Sequence, residues 1–190
     1  MIDPKNIEWK INSKSRKMLS ISGTHKIPVP TSKIWELLSK PGYLIHVNPF
    51  VKSNDSSSWV GVGSSDHFTY INDKEFIRTV QQWNDQNGLI LSIRPAEQKK
   101  QENQIIVHFV YEKIAASESK FTVQIDLNSY RNIPRPLWII LRPLIFIPGY
   151  KKYIHHLIMG YYNFLTDNKS VEIEEFGRHS WFRRETNNLN

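Results

Sequence analysis

Residues 19–38 read LSISGTHKIPVPTSKIWELL, and the spacing of the apolar residues changes halfway through this stretch. In its first half, apolar or small residues alternate with polar ones, which is the period of a half-buried β-strand. Pro28 and Pro30 end that strand because proline has no backbone N–H to donate to a sheet. Thr31 is a favourable N-terminal cap for a helix over residues 32–39. The stretch therefore predicts a strand that leads directly into a short helix.

The chain downstream predicts a second short helix at residues 43–47 and then a long run of strands. These strands are predicted at residues 50–53, 66–72, 74–83, 89–95, 104–114 and 119–127. The intervals around residues 72–73, 84–88, 96–103 and 115–118 are short and polar, as the turns of an antiparallel meander are. No long crossover helix, which parallel strands require, interrupts the strands. We therefore expect one antiparallel sheet of six to seven strands.

The last third of the chain predicts a long helix that follows a proline-rich segment. Residues 134–148 hold four prolines around the apolar runs LWIIL and LIFI, and we expect this segment to be a loop. From about Tyr150, apolar residues recur at intervals of three and four, the period of an amphipathic helix. Gly160 predicts a close approach between this helix and the sheet. The helix is predicted to end between Asp167 and Glu175.

Length and composition favour a single domain with a sizeable core. The chain has 190 residues, 39% hydrophobic and 12% aromatic, and no cysteine. We expect an N-terminal extension at 1–17, one domain at 18–176 and a polar tail at 177–190. The lack of cysteine excludes disulfides and thiolate catalysis and favours a cytoplasmic protein. With no signal-like start and no run of about 20 apolar residues, we expect a protein that is soluble or peripheral to a membrane.

The order of these elements resembles the START-like superfamily, also called the polyketide cyclase/dehydrase and lipid transport group (SRPBCC). The segments that carry the resemblance are IPVPTSKIWELL at 27–38, NPFV at 48–51, GVG at 61–63 and TVQQW at 79–83. The resemblance covers roughly residues 19–167. It implies an α+β helix-grip fold, in which a curved antiparallel sheet wraps a long C-terminal helix and two short helices follow the first strand. It also implies a cavity for a hydrophobic small molecule such as a lipid, isoprenoid, pigment or polyketide-like compound.

A curved sheet and one helix cannot fill the space between them, so apolar walls remain that a guest can cover. The candidate ligand-binding residues lie on predicted inward faces of the sheet, in the proline-rich segment or on the long helix. They are His25, Phe68, Tyr70, Arg78, Val80, Phe109, Tyr111, Phe121, Val123, Trp138, Ile154, Ile158, Tyr161 and Tyr162. For each of these residues taken alone, ordinary core packing is the alternative interpretation.

Polar residues on the inward faces are the candidates for orienting a ligand. His25 continues the apolar face of its strand, and Arg78 is in register with apolar neighbours. Because a buried arginine is costly unless it is paired, Arg78 predicts one of two arrangements. It anchors a ligand anion, or it pairs with a carboxylate such as Glu75 or Asp66.

The histidine spacing matches no metal-binding motif, and the sequence lacks GxSxG, Walker-type and GxGxxG motifs, so we expect no metal and no cofactor. A cofactor-independent cyclase, dehydratase or isomerase needs only a shaped pocket with one or two acid or base groups, which His25, Arg78 and Tyr111 can supply. Enzymatic activity is therefore the alternative to a binding function. A third alternative is an interaction protein whose cavity is filled by its own side chains.

The net charge of +7 makes an anionic partner worth testing. The apolar segment 137–147 has basic residues on both sides, which suits the surface of an anionic membrane. A lid over the cavity mouth and contact with a partner are the alternatives for that segment, and in either role it would control ligand access.

The aromatic and basic tail at 176–184 is compatible with stacking on nucleic-acid bases. Folding back on its own domain is the more common role of such a segment, and we expect no nucleic-acid partner.

Overall fold

The computed structural model describes residues 6–15, 18–56, 58–98, 104–127 and 133–182. Within these residues, one antiparallel sheet contains eight strands in the order β1-β2-β8-β7-β6-β5-β4-β3. Their bounds are β1 (Glu8–Ser15), β2 (Met18–Ile27), β3 (Val51–Asp55), β4 (Ser65–Tyr70), β5 (Glu75–Asn84), β6 (Gly88–Pro95), β7 (Ile105–Ala115) and β8 (Glu118–Leu127). The predicted antiparallel meander is confirmed.

The sheet has one strand more than the sequence predicts. Strand β1 lies inside the predicted N-terminal extension and pairs along β2, with Glu8 opposite Thr24 and Ile11 opposite Ile21. Trp9 and Ile11 do alternate with polar residues, but the alternation is too short to predict a strand from sequence.

Several strand pairs contain an irregularity in register. The shifts fall at residues 12–15, 51–53, 80–82 and 113–115. Such bulges bend a strand and increase its local twist. A sheet that curves around a helix needs this kind of deformation.

Two short helices follow β2, as predicted: α1 (Thr31–Leu38) and α2 (Leu44–Val47). Helix α1 buries Ile34, Leu37 and Leu38. The Nε1 of Trp59 donates a hydrogen bond of 2.9 Å to the carbonyl oxygen of Leu38, which fixes the end of this helix.

The segment predicted to be a proline-rich loop is helical, so that prediction is wrong. Helix α3 (Arg135–Leu141) continues through a π-helical turn (Arg142–Phe146) into α4 (Ile147–Asp167). Pro136 lies in the first turn of α3, where a missing N–H removes no helical bond. Pro143 coincides with the π-helical turn, where the regular hydrogen-bond ladder is already altered. The apolar residues of this segment therefore project from a helix.

Two glycines allow close contacts of α4. A Cβ atom on Gly23 of β2 would lie 2.9 Å from Cγ2 of Ile154, and one on Gly160 would lie 2.0 Å from the carbonyl oxygen of Val47. Gly160 therefore brings α4 against α2 and not, as predicted, against the sheet. The helix ends at Asp167, within the predicted interval, because Asn168 adopts a left-handed conformation (φ 53°).

Candidate functional site

A cavity of about 220 Å³ lies between the sheet and α4. An engineered cavity of about 150 Å³ is large enough to hold benzene, and typical ligand pockets span about 300–1,000 Å³. The cavity therefore has room for a small guest of about one substituted ring. Its described walls are Leu44, Asn48, Phe68, Tyr70, Asn72, Lys74, Phe76, Arg78, Ile93, Ile105, Val107, Phe109, Ile125, Tyr150, Tyr153, Leu157, Trp181 and Phe182.

The sheet forms most of the wall because alternate residues of a strand point to the same face. Ile105, Val107 and Phe109 are consecutive inward residues of β7. Phe68 and Tyr70 hold the same relation on β4, and their rings meet edge to face with centroids 5.1 Å apart. The wall is therefore aromatic on β4 and mainly aliphatic on β7.

The helical side of the cavity comes from α4 and from the end of α2. Tyr150, Tyr153 and Leu157 lie three and four residues apart, so they form one stripe of α4. Leu44 and Asn48 add the wall next to α2. Asn48 is 1% exposed, and its Oδ1 accepts a hydrogen bond of 3.1 Å from the backbone N–H of Phe50.

Asn48, Tyr70 and Tyr153 form a polar cluster in this mainly apolar wall, and we call them the hydroxyl cluster. The two phenol oxygens are 2.9 Å apart, and Nδ2 of Asn48 donates to the Tyr153 oxygen over 3.1 Å. Burial raises the pKa of Tyr70 well above its ordinary value and also raises the pKa of Tyr153. Both phenols are therefore protonated at neutral pH, and each carries an O–H group that can donate a hydrogen bond.

Arg78 also borders the cavity, but its charge is already balanced. Nε of Arg78 donates to Oδ1 of Asp66 over 2.8 Å, Nη2 donates to Oδ2, and both side chains are almost fully buried. The guanidinium carbon lies 5.0 Å from the ring centre of Trp59 and 5.1 Å from that of Tyr43. Burial alone would lower the pKa of Arg78, but Tyr43 and Asp66 raise it above its usual value, so the side chain stays charged. Of the two carboxylates considered for Arg78, the structure pairs it with Asp66.

The C-terminal residues close one end of the cavity. A short 3₁₀ turn (Ser180–Phe182) places the ring of Phe182 parallel to Phe50, with centroids 4.3 Å apart, and 4.7 Å from the ring of Tyr70. Trp181 meets the ring of Tyr150 edge-on at 4.8 Å, and its carbonyl oxygen accepts a hydrogen bond of 3.0 Å from Nδ2 of Asn72. We call Ser180–Phe182 the closing segment. Residues 183–184 of the aromatic and basic tail lie outside the described residues.

Four of the candidate ligand-binding residues line the cavity, namely Phe68, Tyr70, Arg78 and Phe109. Seven others are buried in the core but do not line it: Val80, Tyr111, Phe121, Val123, Ile154, Ile158 and Tyr161. The hydroxyl of Tyr111 donates to the backbone oxygen of Asp85 over 2.6 Å, and burial raises the pKa of Tyr111 to about 12.

The remaining three candidates lie elsewhere. His25 and Tyr162 line a separate polar groove together with Lys120, and their rings are 5.9 Å apart. Trp138 is buried on α3 beside Phe146, with ring centroids 5.5 Å apart. No described residue of the segment 133–148 lines the cavity, whereas Trp181 and Phe182 of the closing segment do.

Sequence reasoning missed the closing segment and all three residues of the α4 stripe. The stripe had a signal, since Tyr150, Tyr153 and Leu157 follow the helical period. For Trp181 and Phe182 the signal was the aromatic and basic composition of residues 176–184, for which folding back on the domain is the more common role. Their particular contacts are set by tertiary packing.

Within the described ranges, no group of three metal-ligating side chains is close enough to hold an ion, and no helix is long and apolar enough to span a bilayer.

Sequence comparisons give no relative for this chain: no protein-family profile matches it, and no curated protein matches it. Solved structures do match. Norcoclaurine synthase from Thalictrum flavum has a TM-score of 0.59 and 12% identity, covering 83% of this chain and all of that protein. A START superfamily protein from Mycobacterium smegmatis has a TM-score of 0.55 and 12% identity, covering 77% of this chain and 99% of that one. CalU16 from Micromonospora echinospora has a TM-score of 0.56 and 9% identity, covering 88% of each chain. The chain therefore has the START-like helix-grip fold, as the sequence resemblance implied.

Proposed function

We propose that this protein binds a hydrophobic small molecule in the cavity between the sheet and α4. The observation that carries the proposal is the cavity of about 220 Å³ with walls of aromatic and aliphatic side chains. Moving apolar area out of water stabilises a complex by about 25 cal/mol per Å², so such walls favour an apolar guest. The same fold in proteins named as a START superfamily protein and as norcoclaurine synthase is consistent with a small-molecule ligand.

Binding is favoured over catalysis by the chemistry of the walls. General acid–base catalysis at neutral pH needs a group whose pKa lies near the working pH. The described lining residues include no histidine, aspartate or glutamate, and burial raises the pKa of Tyr70 and Tyr153 further from neutrality. A cyclase, dehydratase or isomerase activity would have to work without these groups.

Native mass spectrometry of the protein purified under mild conditions tests the binding function. We expect a retained hydrophobic molecule on the wild-type chain and none on Val107→Phe, whose new ring would occupy the cavity. Val60→Phe, on an exposed residue away from the cavity, is the matched control and should retain the molecule. Retention by Val107→Phe at the wild-type level would place the ligand elsewhere and overturn the proposal.

The protein is further proposed to take up or release its ligand at an anionic membrane surface. Five large apolar side chains around the π-helical turn are 47% to 70% exposed: Leu137, Ile139, Ile140, Leu144 and Ile145. We call them the apolar cluster. Contiguous exposed apolar residues of this size are typical of protein or membrane contact sites.

The charge around the apolar cluster favours the membrane. No aspartate or glutamate lies between Asp126 and Asp167, whereas five basic residues do: Arg131, Arg135, Arg142, Lys151 and Lys152. Apolar anchors surrounded by basic side chains suit an anionic lipid surface. Leu144 and Ile145 also share a surface groove with Trp181, so a lipid contact there would meet the closing segment directly.

Vesicle flotation tests the membrane contact. The wild-type chain should float with vesicles of 70% phosphatidylcholine and 30% phosphatidylglycerol, and less with phosphatidylcholine alone. The double variant Leu144→Ser with Ile145→Ser should lose this binding. The control is Val60→Ser with Val62→Ser, which removes two exposed apolar residues outside the cluster and should float like wild type. Equal flotation of both double variants, or self-association that depends on Leu144 without lipid, would contradict the membrane role.

A further inference from the structure

The hydroxyl cluster has more hydrogen-bond donors than it uses. Tyr70 and Tyr153 carry two O–H protons, and the 2.9 Å bond between their oxygens uses only one. Nδ2 of Asn48 donates a hydrogen bond to the Tyr153 oxygen. Asn48 therefore does not accept a proton from either phenol. The hydrogen bonds of Tyr70 and Tyr153 to other described residues do not use the remaining phenolic proton.

A surplus donor on a cavity wall favours a ligand with an acceptor atom. Burial of a hydroxyl without a partner is unfavourable, and a ligand oxygen that accepts the proton removes that cost. The ring of Phe182 lies 4.7 Å from Tyr70 and 5.5 Å from Tyr153, so the cluster is covered by protein on the side of the closing segment. The remaining proton is therefore available to a guest in the cavity.

The cavity offers little to a charged guest. Arg78 is bound through Nε and Nη2 to Asp66, and its guanidinium group is covered by the rings of Tyr43 and Trp59. A carboxylate that enters would lose its hydration without gaining an unpaired cation at this wall. Lys74 is also a lining residue, but its side chain is exposed, so it remains in water.

We propose that the cavity selects an uncharged molecule of about one substituted ring, with a carbonyl or similar acceptor oxygen held by the O–H of Tyr70 or Tyr153. This inference rests on the proposed binding function, because it defines the ligand of the same cavity. It excludes fatty acids and other carboxylates as preferred ligands.

Three probes of nearly equal size test the inference: acetophenone, α-methylstyrene and benzoate. In α-methylstyrene a CH₂ group replaces the carbonyl oxygen of acetophenone. Dissociation constants are measured by NMR titration at pH 7.5. We expect acetophenone to bind about 2- to 13-fold more tightly than α-methylstyrene, the ratio that one hydrogen bond of about 0.5–1.5 kcal/mol gives. Benzoate should bind most weakly.

The double variant Tyr70→Phe with Tyr153→Phe should bind the two neutral probes equally. Acetophenone labelled with ¹³C at the carbonyl gives a second readout that needs no variant, since a hydrogen bond moves the carbonyl resonance downfield on binding. Equal binding of both neutral probes to the wild-type chain, or tighter binding of benzoate, would overturn this inference and leave the binding function intact. If none of the three probes binds, the proposed cavity function itself is overturned.

Discussion

The two stripes of α4 meet the same sheet in different ways. Ile154, Ile158 and Tyr161 are fully buried between the helix and the sheet, and the ring of Tyr161 lies 4.8 Å from that of Phe121. The neighbouring stripe of Tyr150, Tyr153 and Leu157 faces the cavity. We call the part of the structure around the first stripe the filled region, and the part around the second stripe the hollow region.

The difference comes from the residues of the sheet. On the filled side, Gly23 lets α4 approach closely, and the ring of Phe121 packs against Tyr161. Phe109 also contacts Tyr161, with ring centroids 5.5 Å apart, but it lies at the border and lines the cavity as well. On the hollow side, the wall of β6, β7 and β8 is built from aliphatic residues that are too short to reach the helix, namely Ile93, Ile105, Val107 and Ile125. The cavity of this chain therefore depends on the small size of the inward side chains on one part of the sheet.

The largest expected effect on stability concerns Arg78, which is buried and lines the cavity. Replacing its partner through Asp66→Ala should lower the free energy of unfolding by about 3–5 kcal/mol, because a buried charge loses its partner. Urea denaturation measures the change. The matched control is Glu8→Ala, which removes an exposed partner of Lys120 and should cost at most about 1 kcal/mol. Similar losses for both variants would show that Asp66 does not balance a buried charge.

A matched pair of valines tests the filled and hollow regions directly. Val123 and Val107 are both buried inward residues of neighbouring strands, but only Val107 lines the cavity. Val123→Phe should lower stability by about 1–3 kcal/mol through overpacking. Val107→Phe has space for its ring, so its stability should stay within about 0.5 kcal/mol of wild type. Guanidinium denaturation of both variants gives the comparison, and equal destabilisation would show that the hollow region is already filled in solution.

The substitution Phe182→Ala should enlarge the cavity, because it removes a ring from the cavity wall. Phe182 is partly exposed, so its replacement by alanine should lower the free energy of unfolding by only about 1 kcal/mol. Replacing a fully buried phenylalanine such as Phe121 typically costs roughly 3–5 kcal/mol. The affinity for N-phenyl-1-naphthylamine, a neutral probe larger than one ring, should rise several-fold in a fluorescence titration. Ser180→Ala in the same segment is the control and should leave that affinity unchanged. A Phe182→Ala variant with wild-type affinity would show that this ring does not limit the cavity.

The smallest effect is a dependence of stability on pH. Burial lowers the pKa of His179 below its ordinary value, an effect that its bond to the carbonyl oxygen of Gly149 offsets only in part. His156 and Lys152 of α4 face this ring and lower its pKa further. As the pH falls below about 6.5, the unfolded chain therefore takes up a proton that the folded chain resists, and stability falls.

The measurement is the free energy of unfolding by urea at several pH values between 7.5 and 5.5. His179→Gln should reduce the slope of stability against pH, since it removes one of the groups with a lowered pKa. His108→Gln, on the far side of the sheet in contact with Asp126, serves as a control for the loss of any histidine. An unchanged slope for His179→Gln would mean that His179 titrates normally.

The sequence predicted the fold well because the fold depends on periodicity. Alternation in β7 and β8 and the helical period after Tyr150 are local patterns, and the strands and the long helix formed where they indicated. The prolines between 134 and 148 misled the prediction, since a proline in a first turn or at a π-helical turn does not end a helix.

The site was less predictable because it depends on which inward residues meet. Phe68 and Phe121 have the same pattern in the sequence, but one borders the cavity and the other fills the core. That difference is set by the size of residues on other elements, such as Gly23, and by the fold-back of Trp181. The aromatic composition of residues 176–184 is compatible with a fold-back, but the local sequence does not specify which side chains meet.

The contact of Phe182 with Phe50 and Tyr70 has a practical consequence for handling this protein. Since Trp181 and Phe182 supply one wall of the cavity, proteolytic cleavage before Ser180 would remove that wall. The mass of each preparation should therefore be checked for such cleavage before any binding result is interpreted.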